Sequence, residues 1–88
     1  MDALTLERMI GSGIPGAQVE VVDLHGTGDH FDVTVVAPQF EGMSLVERHR
    51  SVYAAIGDAM SGAIHALMIK ALTPAQFRDG LVQTIERS

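Results

Sequence analysis

The chain has 88 residues, 11 acidic against 6 basic side chains for a net charge of −5, and no cysteine. That length bounds it to one domain with a modest core, and the lack of cysteine excludes disulfides and any self-contained thiolate site, so a soft metal would need sulfur from a partner. The acidic balance is the wrong sign for a nucleic-acid binder, whose affinity draws on neutralised phosphates.

The opening segment MDALTLERMIGSG carries acidic residues and no long apolar run, so it does not read as a signal peptide. No other stretch is apolar over the length a bilayer requires, and a cytoplasmic protein without membrane association is the expectation. Leu6, Met9 and Ile10 fall at helical spacing, with Thr5 as the N-cap and Gly11 or Gly13 as the stop. Pro15-Gly16 marks a turn, and QVEVVDL, rich in β-branched residues, reads as a first strand. The segment LHGTGDHF follows, with His25 and His30 around two glycines. HFDVTVVA then alternates, Phe31, Val33 and Val35 on one face and Asp32 and Thr34 on the other. A short glycine-bearing link between two strands predicts an antiparallel hairpin.

PQFEGM reads as a loop, and Ser44 with Glu47 forms a capping box at the start of a helix. Its apolar stripe runs through Leu45, Val52, Ile56, Ala59, Met60 and Ala63, with His49 beside it, and Gly57 or Gly62 interrupts or ends it. IHALMIKAL is a third strand, with Leu67, Ile69 and Ala71 on one face and Ala66, Met68 and Lys70 on the other. Thr73-Pro74 starts a last helix carrying Phe77, Leu81 and Ile85, and the terminal ERS is expected to fray. The order α-β-β-α(α)-β-α predicts a single α+β domain over residues 1–88, a three-stranded sheet with helices packed on one face.

Four histidines are the residues with the most chemistry to offer. By pattern alone, His25 and His30 are solvated turn residues, His49 packs a helix, and His65 is a polar strand-end residue. No HxxxH or HExxH spacing forces their nitrogens to one point, as a zinc site requires. Gly13-Ile14-Pro15-Gly16 matches a G-x-x-G loop but sits between a helix and a strand without a nearby lysine, and reads as a helix stop and turn. Arg48, Arg50 and Lys70 are the candidate nucleic-acid contacts, the two arginines opposing the dipole at a helix start. There is no cysteine nucleophile, GxSxG, P-loop or suggestive carboxylate pair, and His30 beside Asp29 gives no reason for a shifted pKa, so no enzymatic activity is expected.

The strings DHFDVTVVAPQFEGMSLVERHRSVY and IHALMIKALTPAQF together resemble the two signatures of the BolA family, over about residues 4–79. The short hairpin turn and FEGMS are similar to its IbaG-like bacterial branch. The resemblance implies the BolA α-β-β-α-α-β fold, similar to a class II KH domain without the KH clamp. It also implies a role in iron–sulfur trafficking and iron homeostasis with a monothiol glutaredoxin as partner. In that family a [2Fe-2S] cluster is shared with glutaredoxin and glutathione thiolates, and none is expected in the isolated protein, a monomer or weak homodimer. The family's C-terminal HAL histidine matches His65, and its loop ligand matches His25, with His30 as the alternative, because Thr27 stands where other members carry cysteine. Imidazole in place of thiolate raises a cluster's potential and makes its ligation protonatable near neutral pH. The same resemblance implies a different second role, a transcriptional regulator binding DNA through the KH-like fold.

Overall fold

A computed structural model of the chain describes residues 1–58, 62, 64 and 66–79. Helix α1 (Ala3–Gly13) begins at Asp2, whose carboxylate accepts the Thr5 amide at 2.7 Å. The cap is therefore Asp2 and not Thr5. An acidic N-cap both satisfies an orphan N–H and faces the positive end of the helix dipole, which a threonine one turn later cannot do. Leu6 and Ile10 are buried. The helix runs to Gly13, the later of the two expected stops, and glycine is required there because α1 lies so close to the next helix that a Cβ would overlap Cβ of Ala55.

Strands β1 (Gln18–Asp23) and β2 (His30–Val36) form the expected antiparallel hairpin, and β3 (Ala66–Leu72) pairs with β2 in parallel, giving the order β1-β2-β3. Parallel pairing needs a crossover, and helix α2 (Leu45–Ile56) lies on it. The alternation predicted for β2 holds: Phe31, Val33 and Val35 are fully buried, flanked in register by Val19 and Val21 of β1 and by Leu67, Ile69 and Ala71 of β3. Leu6 and Ile10 of α1 and Val52 and Ile56 of α2 complete one apolar cluster on that face. Phe40, read from sequence as part of a loop, is also fully buried, carried inward by a 3₁₀ turn at Pro38–Phe40.

The outer face of the sheet presents Glu20, Val22, Asp32, Thr34, Met68 and Lys70. Residues 74–79 begin a helix α3, started by a second reciprocal cap in which Thr73 Oγ1 accepts the Gln76 amide and Gln76 Oε1 accepts the Thr73 amide. From it Phe77 reaches the rim of the outer face, closing a cleft of about 160 Å³ with Gln18, Glu20, Thr34 and Val36.

The capping box of α2 is present as predicted, Ser44 Oγ taking the Glu47 amide at 3.2 Å and Glu47 Oε1 the Ser44 amide at 2.8 Å. Gly57 ends the helix at a φ of +63°. The apolar stripe differs from expectation at its start: Leu45 is 64% exposed, and the inward positions are Arg48, Val52 and Ile56. The expected core positions Ala59, Met60, Ala63, Leu81 and Ile85, and the ERS tail, lie outside the described residues. Among the described residues no helix is long and apolar enough to cross a membrane.

Both helix-capping carboxylates are held below their ordinary pKa, 3.8 for Asp2 and 4.5 for Glu47, chiefly by the amides they accept, from Thr5 and Ser44 respectively. A folded-state pKa below the unfolded one stabilises the fold fully above the unfolded value and loses that support as pH falls through the folded one. Denaturant midpoints measured from neutral pH downward are therefore expected to decline below the range 3.8 to 4.5. Asp2→Asn, which keeps an acceptor for the Thr5 amide but cannot titrate, should remove part of that decline; an identical acid limb would contradict the capping account.

Candidate functional site: the hairpin turn

The turn between β1 and β2 is organised by Asp23, the last residue of β1. Its Oδ1 accepts the amides of His25 at 3.3 Å and Gly26 at 2.9 Å, and its Oδ2 accepts the amide of Gly28 at 2.9 Å. The Leu24 amide donates to the His30 carbonyl at 2.9 Å and closes the hairpin. Gly26 and Gly28 both have left-handed φ, +70° and +77°, which a side chain would strain. At Gly28 there is a second reason for glycine: a Cβ would lie 2.6 Å from the Met1 carbonyl oxygen, and the Met1 ammonium donates to the Gly28 carbonyl at 3.1 Å.

This backbone brings His25 and His30 together, ring centroids 4.8 Å apart at an interplanar angle of 76°. Nδ1 of His30 lies 2.9 Å from Oδ1 of Asp29, and the Thr27 hydroxyl donates to the same oxygen. Both members of the His30–Asp29 pair are partly exposed. Strand β3 starts beside them: Ala66 is the register partner of His30, and its amide donates to the Asp29 carbonyl at 3.0 Å. His65, the predicted C-terminal ligand, lies outside the described residues, but it is the residue immediately before Ala66.

Chemically the turn offers imidazoles and the carboxylate of Asp29 at a partly exposed end of the sheet, the Asp23 carboxylate being taken up by the turn's amides, with no thiolate anywhere in the chain. Among the described residues no group of three or more His, Cys, Asp or Glu is arranged to hold a metal ion. This donor set fits a [2Fe-2S] cluster only as a shared group, with imidazole from here completing thiolates from elsewhere. The outer-face cleft under Phe77 does not border the histidines, nor does an open groove between α1 and α2 lined by Arg8, Met9, Ser12 and Ala54.

The basic residues do not assemble. Arg48 is 7% exposed, its Nε donating to the Met43 carbonyl at 3.1 Å and Nη1 to the Ala71 carbonyl at 3.1 Å and to Gln76 Oε1 at 2.7 Å, with its Cζ 6.0 Å from the Phe40 ring centroid. The expected phosphate contact is thus a structural tie between α2, β3 and the start of α3, because its position continues the inward stripe of Val52 and Ile56. Arg50 is exposed on α2, over the inner face of the sheet, whereas Lys70 is exposed on the outer face, so the two belong to different layers. His49 is half-buried on α2.

Sequence reasoning missed Asp23, Asp29 and Thr27 as organisers of the turn. The available signal was an aspartate at a strand end three residues before G-x-G, where its carboxylate can take the turn's amides.

A family model described as BolA-like protein matches residues 15–76. Human BolA-like protein 1 is 50% identical over 54 residues, 61% of this chain and 39% of that protein, so the chain spans well under half the length of that relative. Protein BOLA2 of Arabidopsis thaliana is 45% identical over 75 residues, 83% of this chain and 80% of the relative. Among solved structures, a bolA protein homologue from Coxiella burnetii superposes with a TM-score of 0.73 at 35% identity, covering 89% of this chain and 97% of that one. The BolA domain of SufE1 from Arabidopsis thaliana gives 0.73 at 31% identity over 84% of this chain and 93% of that domain.

Proposed function

Because the chain belongs to the BolA family, we propose that it is a non-catalytic adaptor in iron–sulfur metabolism that binds a monothiol glutaredoxin and shares a [2Fe-2S] cluster through His65 and a histidine of the hairpin turn. The observation that carries this reading is the convergence at the turn: the His25 and His30 rings are 4.8 Å apart, and His30 pairs with Ala66, the residue after His65. A cysteine-free chain cannot hold a cluster alone, but imidazoles at a partly exposed end of the sheet can complete one whose other ligands are a partner's thiolates. Such a cluster supplies one-electron chemistry and a transferable iron–sulfur unit. This chain's part is to present ring nitrogens on a hydrogen-bonded turn at the end of the sheet, where the partner can reach them. The occurrence of a BolA domain within SufE1 of Arabidopsis thaliana agrees with a module that works beside other proteins.

The test is a titration of the full chain into cluster-loaded monothiol glutaredoxin with glutathione, followed by visible absorption and circular dichroism. A new spectrum that saturates at a fixed ratio is expected, and a spectrum unchanged from that of glutaredoxin alone would contradict the reading. Binding to duplex DNA is not favoured by the geometry, since Arg48 is buried and Arg50 and Lys70 lie in different layers. A titration at low salt is expected to show no affinity of the steeply salt-dependent kind that phosphate contacts give.

A further inference from the structure

We propose that Asp29 is a positioning residue that holds His30 in its Nδ1–H tautomer, making His30, and not His25, the hairpin ligand. The inference rests on the co-ligation reading above and narrows it to one histidine and one atom. A neutral imidazole has one N–H and one lone pair, and a hydrogen bond from one nitrogen fixes which nitrogen keeps the lone pair. Asp29 Oδ1, 2.9 Å from Nδ1 of His30, takes the Nδ1 proton as its hydrogen bond and so puts the lone pair on Nε2. A carboxylate behind a ligating histidine is the arrangement that orients metal-bound imidazoles generally and raises their basicity.

Three further observations select His30. The Thr27 hydroxyl donates to the same Asp29 oxygen, so the carboxylate is itself held from the far side of the turn. His30 is in β2, paired in register with Ala66, and the Ala66 amide binds the Asp29 carbonyl, so the backbone of the pair is fixed to the strand that His65 precedes. His25 stands in the turn itself, exposed, and among the described residues no side chain hydrogen-bonds its ring. Holding an exposed turn side chain in one rotamer costs entropy that a held ring has already lost. Thr27, at the position where other members carry a cysteine ligand, thus acts as a support for the carboxylate behind a ligand.

The test has two readouts. In the isolated protein at mildly alkaline pH, long-range proton–nitrogen correlation spectra of the imidazoles should show His30 as the Nδ1–H tautomer, and Asp29→Ala should return it toward the Nε2–H form. Asp29→Asn keeps an acceptor oxygen and should retain the wild-type tautomer, which also separates loss of positioning from loss of the turn. In the titration with cluster-loaded monothiol glutaredoxin, His30→Ala and Asp29→Ala should each weaken formation of the new visible dichroism by about 10–100-fold. His25→Ala should leave it within about twofold. An Nε2–H His30 in the wild-type isolated protein, or a His25→Ala variant that loses the signal while His30→Ala keeps it, overturns the assignment. A wild-type spectrum identical to that of glutaredoxin alone instead overturns the co-ligation reading beneath it.

Discussion

Arg48→Ala is expected to cost about 3 kcal/mol of unfolding free energy or more, although the residue it removes is a charge on a nominally polar helix. The side chain is 7% exposed and donates to the carbonyls of Met43 and Ala71 and to Gln76 Oε1. Truncation leaves those acceptors short of a donor, each buried one costing about 1–3 kcal/mol, and also removes the stem that packs near Phe40. Arg48→Lys keeps the charge but not the planar fork and should fall between the two. Arg50→Ala, two residues along the same helix and exposed, should stay within about 0.5 kcal/mol of wild type. Denaturant unfolding of the three variants checks this. A loss below about 1 kcal/mol for Arg48→Ala would contradict the tie between α2, β3 and the start of α3.

Phe31→Ala should be the most damaging apolar change, at about 3–5 kcal/mol. Phe31 is fully buried at the start of β2, opposite Leu67 of β3 and Asp23 of β1, at the foot of the hairpin that carries the histidines. With a total of about 5–15 kcal/mol available to a domain of this kind, that loss takes it close to unfolding at room temperature. Phe31→Leu keeps most of the volume and should cost much less, within about 1.5 kcal/mol. If Phe31→Ala unfolds with a midpoint close to wild type, the ring is not the core anchor described above.

The hairpin was legible because strand alternation is local: Phe31, Val33 and Val35 are two apart and all point inward. The α2 capping box was legible for the same reason, since Ser44 and Glu47 are three apart and need no distant partner. Arg48 was not, because its partners Ala71 and Gln76 are 23 and 28 residues away and an arginine in a helix ordinarily reads as solvated. Phe40 was missed because nothing in FEG distinguishes a loop aromatic that folds back onto the core from one that does not. The cap of α1 was displaced from Thr5 to Asp2, two residue types that both occur as N-caps, and the choice depends on where the helix starts.

For the site, composition established that any cluster must be shared, and the family signatures singled out the turn and His65. Which histidines meet, and which one a carboxylate holds, depends on the fold of a glycine-rich turn around Asp23. That fold also fixes the 4.8 Å approach of the rings and the register of His30 with Ala66. Neither feature follows from spacing.

The central claim, that this chain places imidazole nitrogen on a shared cluster, is tested most directly by isotope labelling. The chain is prepared with nitrogen-15 histidine, combined with unlabelled cluster-loaded glutaredoxin and glutathione, reduced by one electron, and read by pulsed electron paramagnetic resonance. The account predicts nitrogen-15 hyperfine couplings from two imidazoles, one lost in His65→Ala and the other in His30→Ala but not in His25→Ala. A reduced cluster with no nitrogen-15 coupling, ligated by thiolates alone, would contradict it.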